Sequence, residues 1–206
     1  MNAKEMLLNF VNDADDINRL SQWIFENIEP YIKGRTLELG SSRGGISSIF
    51  IKRSLPVHLC DENGANRETL RKRFGGMQAM RMIHDIDFND PFFDQVYADS
   101  AGVFSTVIAV NVAEHGIYEN RMIHRAKYFL GSGGHFMLAM PASVILFGNV
   151  GSHIDDLKQH NYKVARHFMG DNFEPLKIRH FNWLIDPNNC NLSHLYTLTI
   201  FRYKGA

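Results

Sequence analysis

Cysteine is scarce in this chain: Cys60 and Cys190 are the two among 206 residues, and they form no Cys-x-x-Cys pair. Both are therefore expected as reduced thiols of a cytosolic protein rather than as a disulfide framework. Long apolar runs are missing too, and none approaches the ~20 residues needed to span a bilayer. Residues 1–10, "MNAKEMLLNF", hold no signal-peptide core and no small-residue cleavage site. These absences give the expectation of a cytoplasmic chain with no membrane span. An excess of one charge is also lacking. The 22 Lys and Arg balance the 22 Asp and Glu, which leaves no electrostatic footprint for nonspecific nucleic-acid binding. No repeat, low-complexity tract or charge block marks a linker. The histidines show no HxxxH or HExxH spacing.

What is present is an ordinary globular composition, 45% hydrophobic and 21% charged, long enough for one domain with a full core. Residues 13–29 place apolar side chains at 17, 20, 24 and 28, which is helical spacing ended by Pro30. After that, strands and helices alternate. "TLELG" (36–40) predicts a first strand and 43–53 a helix opening from its glycine turn. "PVHLCD" predicts a second strand ending at Asp61, and 64–74 the next helix. A third strand lies within 77–85, with irregular chain and a short helix following Pro91. Residues 103–112, "VFSTVIAVNV", form a nearly continuous apolar run suited to burial on both faces. A helix over 118–130, a strand over 133–141, a helix over 161–170 and strands over 173–181 and 195–203 complete the chain. The alternation up to about residue 140 implies right-handed βαβ units and a parallel sheet. The segment 183–194 shows no helical periodicity, so the last two strands are expected to pair antiparallel.

The turn "TLELGSSRGG" (36–45) raises a chemical question. Glycine after a first strand lets a ligand approach the backbone at the carboxyl end of the sheet. A dinucleotide fold would put a pyrophosphate on the following helix. Here the third glycine of that pattern is displaced and Glu38 precedes the turn. A carboxylate is poor company for phosphates and suits a cation.

With those features, "LELGSSRGG" resembles the first motif of the class I S-adenosylmethionine-dependent methyltransferases. "NVAEHG" after the fourth strand and "LGSGGHFMLAMPA" are similar to later motifs of that family, with Ser132 in place of a proline. "FEPLKIRHFNWL" resembles a bacterial subgroup often encoded with sugar and polysaccharide enzymes. The resemblance spans nearly the whole chain. It implies a Rossmann-like three-layer sandwich, with a seven-stranded, mostly parallel sheet and an antiparallel last strand. It implies one domain: an N-terminal helical cap over 1–33, a cofactor-binding half over 34–140 and an acceptor-side half over 141–206. The cofactor would be S-adenosyl-L-methionine, leaving as S-adenosyl-L-homocysteine. The turn residues Glu38, Gly40, Ser41, Ser42 and Gly44 would hold its amino-acid part. Asp61 and Glu62 would meet the ribose, and Asp85 and Ile86 the adenine, with Asn111 and Val112 also cofactor-binding. Ser42 stands where the family usually has its middle glycine.

Methyl transfer from a sulfonium needs alignment and exclusion of water, and a protonated nucleophile needs a base. His115, beside Glu114 after the fourth strand, is the candidate general base; its alternative role is to shape the pocket through a loop hydrogen bond. The pair also resembles the "E-H" of ubiquinone-type O-methyltransferases, but Asn111 occupies the position where another acidic metal ligand would stand, so no metal is expected. "HIDDLKQH" (153–160) reads as an amphipathic solvated segment. It replaces the "G-H-Y-R-R-Y"-like motif of the resembling subgroup and so argues against a lipid-linked sugar acceptor. The expected function is methyl transfer to oxygen or nitrogen of a small or sugar-like acceptor. The alternatives are a non-catalytic methyltransferase-like binding domain and, with less support, a dinucleotide-dependent oxidoreductase.

Overall fold

The computed structural model describes residues 14–110, 121–141, 154–183 and 194–205. Helix α1 (Ala14–Ile28) runs into a 3-10 turn and then strand β1 (Thr36–Leu39). Helix α2 (Gly45–Lys52), β2 (Val57–Cys60), α3 (Gly64–Phe74) and β3 (Met80–His84) follow. The short α4 (Phe93–Val96) precedes β4 (Phe104–Val110), and α5 (Arg121–Ala126) precedes β5 (Leu130–Pro141). Helix α6 (Ile154–Met169) leads to β6 (Phe173–Trp183) and β7 (His194–Tyr203).

The seven strands form one sheet in the order β3-β2-β1-β4-β5-β7-β6. β1 to β5 pair parallel. β7 pairs antiparallel with both β5 and β6, so it alone runs against the other six. This is the mostly parallel sheet with an antiparallel last strand that the alternation of elements predicts. Strand order reverses at β1, with β2 and β3 on one side and β4 on the other. The carboxyl end of β1 is thus the switch point where open α/β sheets bind ligands.

Two cores lie on the two faces of the sheet. One joins Ile24, Phe25 and Ile28 of α1 with Phe50 of α2, Leu70 and Phe74 of α3, and Ile200 of β7. The other joins Phe93 of α4, Ile123 of α5 and Phe168 of α6 with Phe136 and Phe201. Each such side chain contributes about 1.5–3 kcal/mol by leaving water. Helix α1 is part of the first layer: Phe25 and Ile28 are fully buried, and Trp23 packs on Phe181 of β6 with ring centroids 5.0 Å apart.

Several boundaries differ from those the sequence predicts. The helix expected over 118–130 is an α-helix only to Ala126, then a 3-10 turn to Phe129. Strand β5 begins at Leu130 rather than at Gly133, because Leu130 already pairs with Phe104. The helix expected over 161–170 begins by Ile154, so the amphipathic "HIDDLKQH" runs into it. Strand β6 accepts Pro175 because it is an edge strand, and its register shifts between Pro175 and Lys177. No described helix is long and apolar enough to cross a membrane.

Candidate functional site

Parallel register sets the site. Leu39 pairs with Cys60, and Cys60 pairs with His84. The next residue on each strand is Gly40, Asp61 and Asp85. The glycine turn and the two predicted carboxylates therefore lie side by side across the ends of β1, β2 and β3.

The turn is held from below by buried polar groups. Glu38 is 4% exposed, and its Oε2 accepts a 2.5 Å hydrogen bond from Ser47 Oγ on α2. From the sequence this carboxylate is expected to bond backbone N–H groups or water, whereas the structure supplies a side-chain hydroxyl nine residues on. Burial pushes the Glu38 carboxyl up to about 8; the Ser47 hydrogen bond lowers it and the nearby Asp61 charge raises it. Ser41 ties β1 to β2: its N–H donates to the Cys60 carbonyl at 3.0 Å and its Oγ accepts from the Cys60 N–H at 3.3 Å. The Cys60 thiol is itself buried and pushed up to about 12, mainly by loss of water, which makes it an inert packing group.

Backbone conformation explains the glycines and the serine. Gly40 has φ +64°, Ser42 +48° and Gly44 +84°. Ser42 thus occupies the left-handed region that glycine enters freely, which costs a non-glycine residue stability. Its N–H donates to Asp61 Oδ2 at 2.8 Å, a charge-assisted bond that offsets this cost. At Gly44 a second constraint acts: a Cβ there would collide with the Phe74 ring of α3. That glycine therefore makes room for the core behind the turn.

Asp61 is only 7% exposed. Its Oδ1 accepts from the Asn63 N–H at 2.9 Å and from Asn66 Nδ2 at 3.1 Å. Placed by the sequence at the end of the second strand, it is also the hub of its loop. Two carboxylate oxygens offer about four acceptor positions, and three are used by these bonds, so capacity for one more donor remains on Oδ2. Asn63 caps α3 by accepting from the Ala65 N–H at 2.8 Å. Glu62 is exposed beside it.

Asp85 is exposed, and its Oδ2 accepts from Arg67 Nη2 at 2.7 Å. Arg67 Nη1 also donates to the carbonyls of Asp61 at 2.8 Å and Glu62 at 2.9 Å. Sequence reasoning missed Arg67, Asn63, Asn66 and Ser47. The available signal was their place in the first turns of the helices that open from the candidate loops. Ile86, predicted at the adenine, is 4% exposed and packs in the core. Asn111, Val112, Glu114, His115 and the segment 142–153 lie outside the described residues.

This set of acceptors suits a ligand bearing a cation, hydroxyls and an exocyclic amine. Acidic groups stand at the ends of β2 and β3, the Arg43 side chain on the turn is exposed, and Asp61 retains acceptor capacity. A cavity of about 740 Å³ also exists, lined among others by Phe92, His124, Lys127 and Tyr203. None of the predicted site residues lines it, and the strand-end cleft is the site supported by register and hydrogen bonding.

No family profile matches the chain. Among curated proteins it is similar to the ribosomal RNA small subunit methyltransferase C of Erwinia tasmaniensis, 26% identical over 168 residues. That match covers 76% of this chain and 46% of the relative, so the chain spans less than half of that protein. Among solved structures it is similar to the N-methyltransferase NodS of Bradyrhizobium japonicum, crystallised with S-adenosyl-L-homocysteine. The TM-score is 0.63 at 12% identity, with 95% of this chain and 91% of NodS covered. A SAM-dependent methyltransferase from Archaeoglobus fulgidus gives 0.60 at 11% identity, covering 95% and 99%. The chain therefore has the class I S-adenosylmethionine-dependent methyltransferase fold, as the sequence resemblance implies.

Proposed function

We propose that this protein is an S-adenosylmethionine-dependent methyltransferase acting on oxygen or nitrogen of a small or sugar-like acceptor. The observation that carries the reading is the alignment of the glycine turn, Asp61 and Asp85 across three adjacent strand ends. The fold shared with structurally known methyltransferases supports it. In this reading residues 34–140 hold the cofactor and 141–206 carry the acceptor side. Glu38, Gly40, Ser41, Ser42 and Gly44 shape the amino-acid end. Asp61 and Glu62 serve the ribose, and Asp85 and Ile86 the adenine. Asn111 and Val112 follow β4.

When bound, the cofactor supplies a methyl group already activated on a sulfonium sulfur. The protein's own contribution is to bind, align and exclude water. Asp61 and Asp85 favour a cationic nucleoside, and Glu38 braces the turn through Ser47. His115 takes the proton of the acceptor as general base, with Glu114 beside it. His115→Ala is then expected to slow transfer about 10²–10⁴-fold with little change in cofactor affinity, and the loss should shrink at high pH. A mutant pH–rate profile parallel to the native one would remove His115 from the mechanism.

A second reading, transfer to RNA, is favoured by the curated relative named as a ribosomal RNA methyltransferase. The balanced charge of 22 against 22 weighs against it. Labelled methyl transfer decides: a panel of sugars, small alcohols and amines is set beside small-subunit ribosomal RNA. Label in a small acceptor supports the first reading, and label in RNA alone the second. Cofactor binding without transfer to either would mark a binding domain.

A further inference from the structure

We infer that Arg67 is a positioning residue that sets recognition of the cofactor's base by aligning the Asp85 carboxylate. The inference rests on the S-adenosylmethionine reading above. Arg67 stands on α3, six residues beyond Asp61, and its guanidinium reaches back across the gap between the ends of β2 and β3. Nη1 is shared between two carbonyls, of Asp61 at 2.8 Å and of Glu62 at 2.9 Å. Nη2 holds Asp85 Oδ2 at 2.7 Å. One planar cation thus joins the loop after β2 to the carboxylate after β3.

Burial separates this contact from an ordinary surface ion pair. The Arg67 side chain is 13% exposed, while that of Asp85 is 69% exposed. Exposed pairs contribute little because two long side chains must be ordered for one contact. Here the guanidinium is already fixed by the carbonyls, so only the short Asp85 side chain is ordered by the pair. A point charge could not reproduce this fork. Arg67 Nε is buried with no hydrogen-bond partner among the described residues. The guanidinium is therefore held in place despite an unmet donor, so its other contacts fix its position.

The consequence is chemical. With Oδ2 held by Arg67, Asp85 Oδ1 makes no hydrogen bond to the described residues and offers an acceptor of fixed orientation. A base edge carrying an amino donor matches it, and one carrying a carbonyl is repelled. Arg67 touches no substrate in this account and acts through Asp85.

Calorimetric titration of the full chain with S-adenosylhomocysteine and S-inosylhomocysteine tests the inference, because the two differ by amino against carbonyl on the base. The native protein is expected to prefer the adenosyl form by about tenfold to a hundredfold, the scale of a hydrogen bond to a charged group. Arg67→Gln should bring that ratio toward one, whereas a merely structural arginine would weaken both ligands equally. Asp85→Asn, which leaves the Arg67–carbonyl bonds intact, should also collapse the ratio, because an amide can turn to meet either edge. The double variant should be no worse than the single ones. A ratio unchanged in Arg67→Gln, or in Asp85→Asn should Arg67→Gln fail to fold, overturns the inference alone. Binding of neither nucleoside by the native protein overturns the cofactor reading and the inference with it.

Discussion

The turn after β1 and the mouth between β2 and β3 lie next to each other but are built differently. In the turn, buried groups and backbone geometry do the holding: Glu38 on Ser47, Ser41 on Cys60, and Gly44 against Phe74. At the mouth, the largely buried Arg67 side chain reaches across to Asp85, which is exposed. The first arrangement ties the site to the stability of the fold. The second leaves recognition adjustable at small cost to folding. Substitutions in the turn should therefore appear chiefly as unfolding, and substitutions at the mouth chiefly as lost affinity.

The sharpest break is expected at Gly44. Gly44→Val combines a left-handed φ of +84° with a collision against Phe74. It should cost about 3–5 kcal/mol, measured by denaturant unfolding. A cost below about 1 kcal/mol would mean that the turn and α3 are less tightly packed than the structure shows.

Glu38 gives the next effect, through pH. Its carboxyl titrates near 8 in the folded protein, against an ordinary value of 4.5 for a solvated glutamate. Between these values the unfolded chain has lost the proton and the folded chain keeps it, so stability falls as pH rises through that window. The slope is about 1.4 kcal/mol per pH unit for one proton. Glu38→Gln removes the titration. The variant should match the native protein near pH 4 and exceed its stability by a few kcal/mol near pH 8. Parallel stability–pH curves would show that Glu38 is ionised throughout.

Asp61 tests the boundary between the two regions, since it holds the Ser42 N–H on one side and Asn63 and Asn66 on the other. Asp61→Ala should lower both stability and affinity for S-adenosylhomocysteine, each by about 1.5–3 kcal/mol. An affinity loss with an unchanged melting temperature would place Asp61 wholly in recognition.

The smallest effect is expected on the exposed side of α3. Glu68 faces Arg71 and Lys72, each 3.7 Å away and all well exposed. Glu68→Gln should change stability by about 0.3–0.5 kcal/mol at most. This baseline shows whether the Arg67–Asp85 pair, on the same helix, exceeds an ordinary surface contact.

Much of this was legible in the sequence for a physical reason. Strand–helix alternation, a glycine turn after "TLEL", and carboxylates closing the next two strands are local patterns, and parallel register converts equal strand-end positions into neighbours. Asp61 and Asp85 beside Gly40 follow from that geometry. The reach of Arg67 and Ser47 was hidden, because it depends on how α3 and α2 rotate over the strand ends. Gly44 was read as a ligand surface, whereas its collision partner Phe74 lies thirty residues away on another helix. Leu130 reads as the end of a helix before the Gly131 turn, yet it pairs with Phe104 as the first residue of β5. His115 and Asn111 fall outside the described residues, so their roles rest on the motif.

The central claim is that the cleft at the ends of β1, β2 and β3 binds S-adenosylmethionine through the glycine turn, Asp61 and Asp85. Titration calorimetry of native protein and Asp61→Ala with S-adenosylhomocysteine, and of native protein with a nicotinamide dinucleotide, addresses it most directly. The account predicts one S-adenosylhomocysteine per chain, binding about tenfold to a hundredfold weaker in Asp61→Ala, and no dinucleotide binding. Tight dinucleotide binding with no heat from S-adenosylhomocysteine would contradict it.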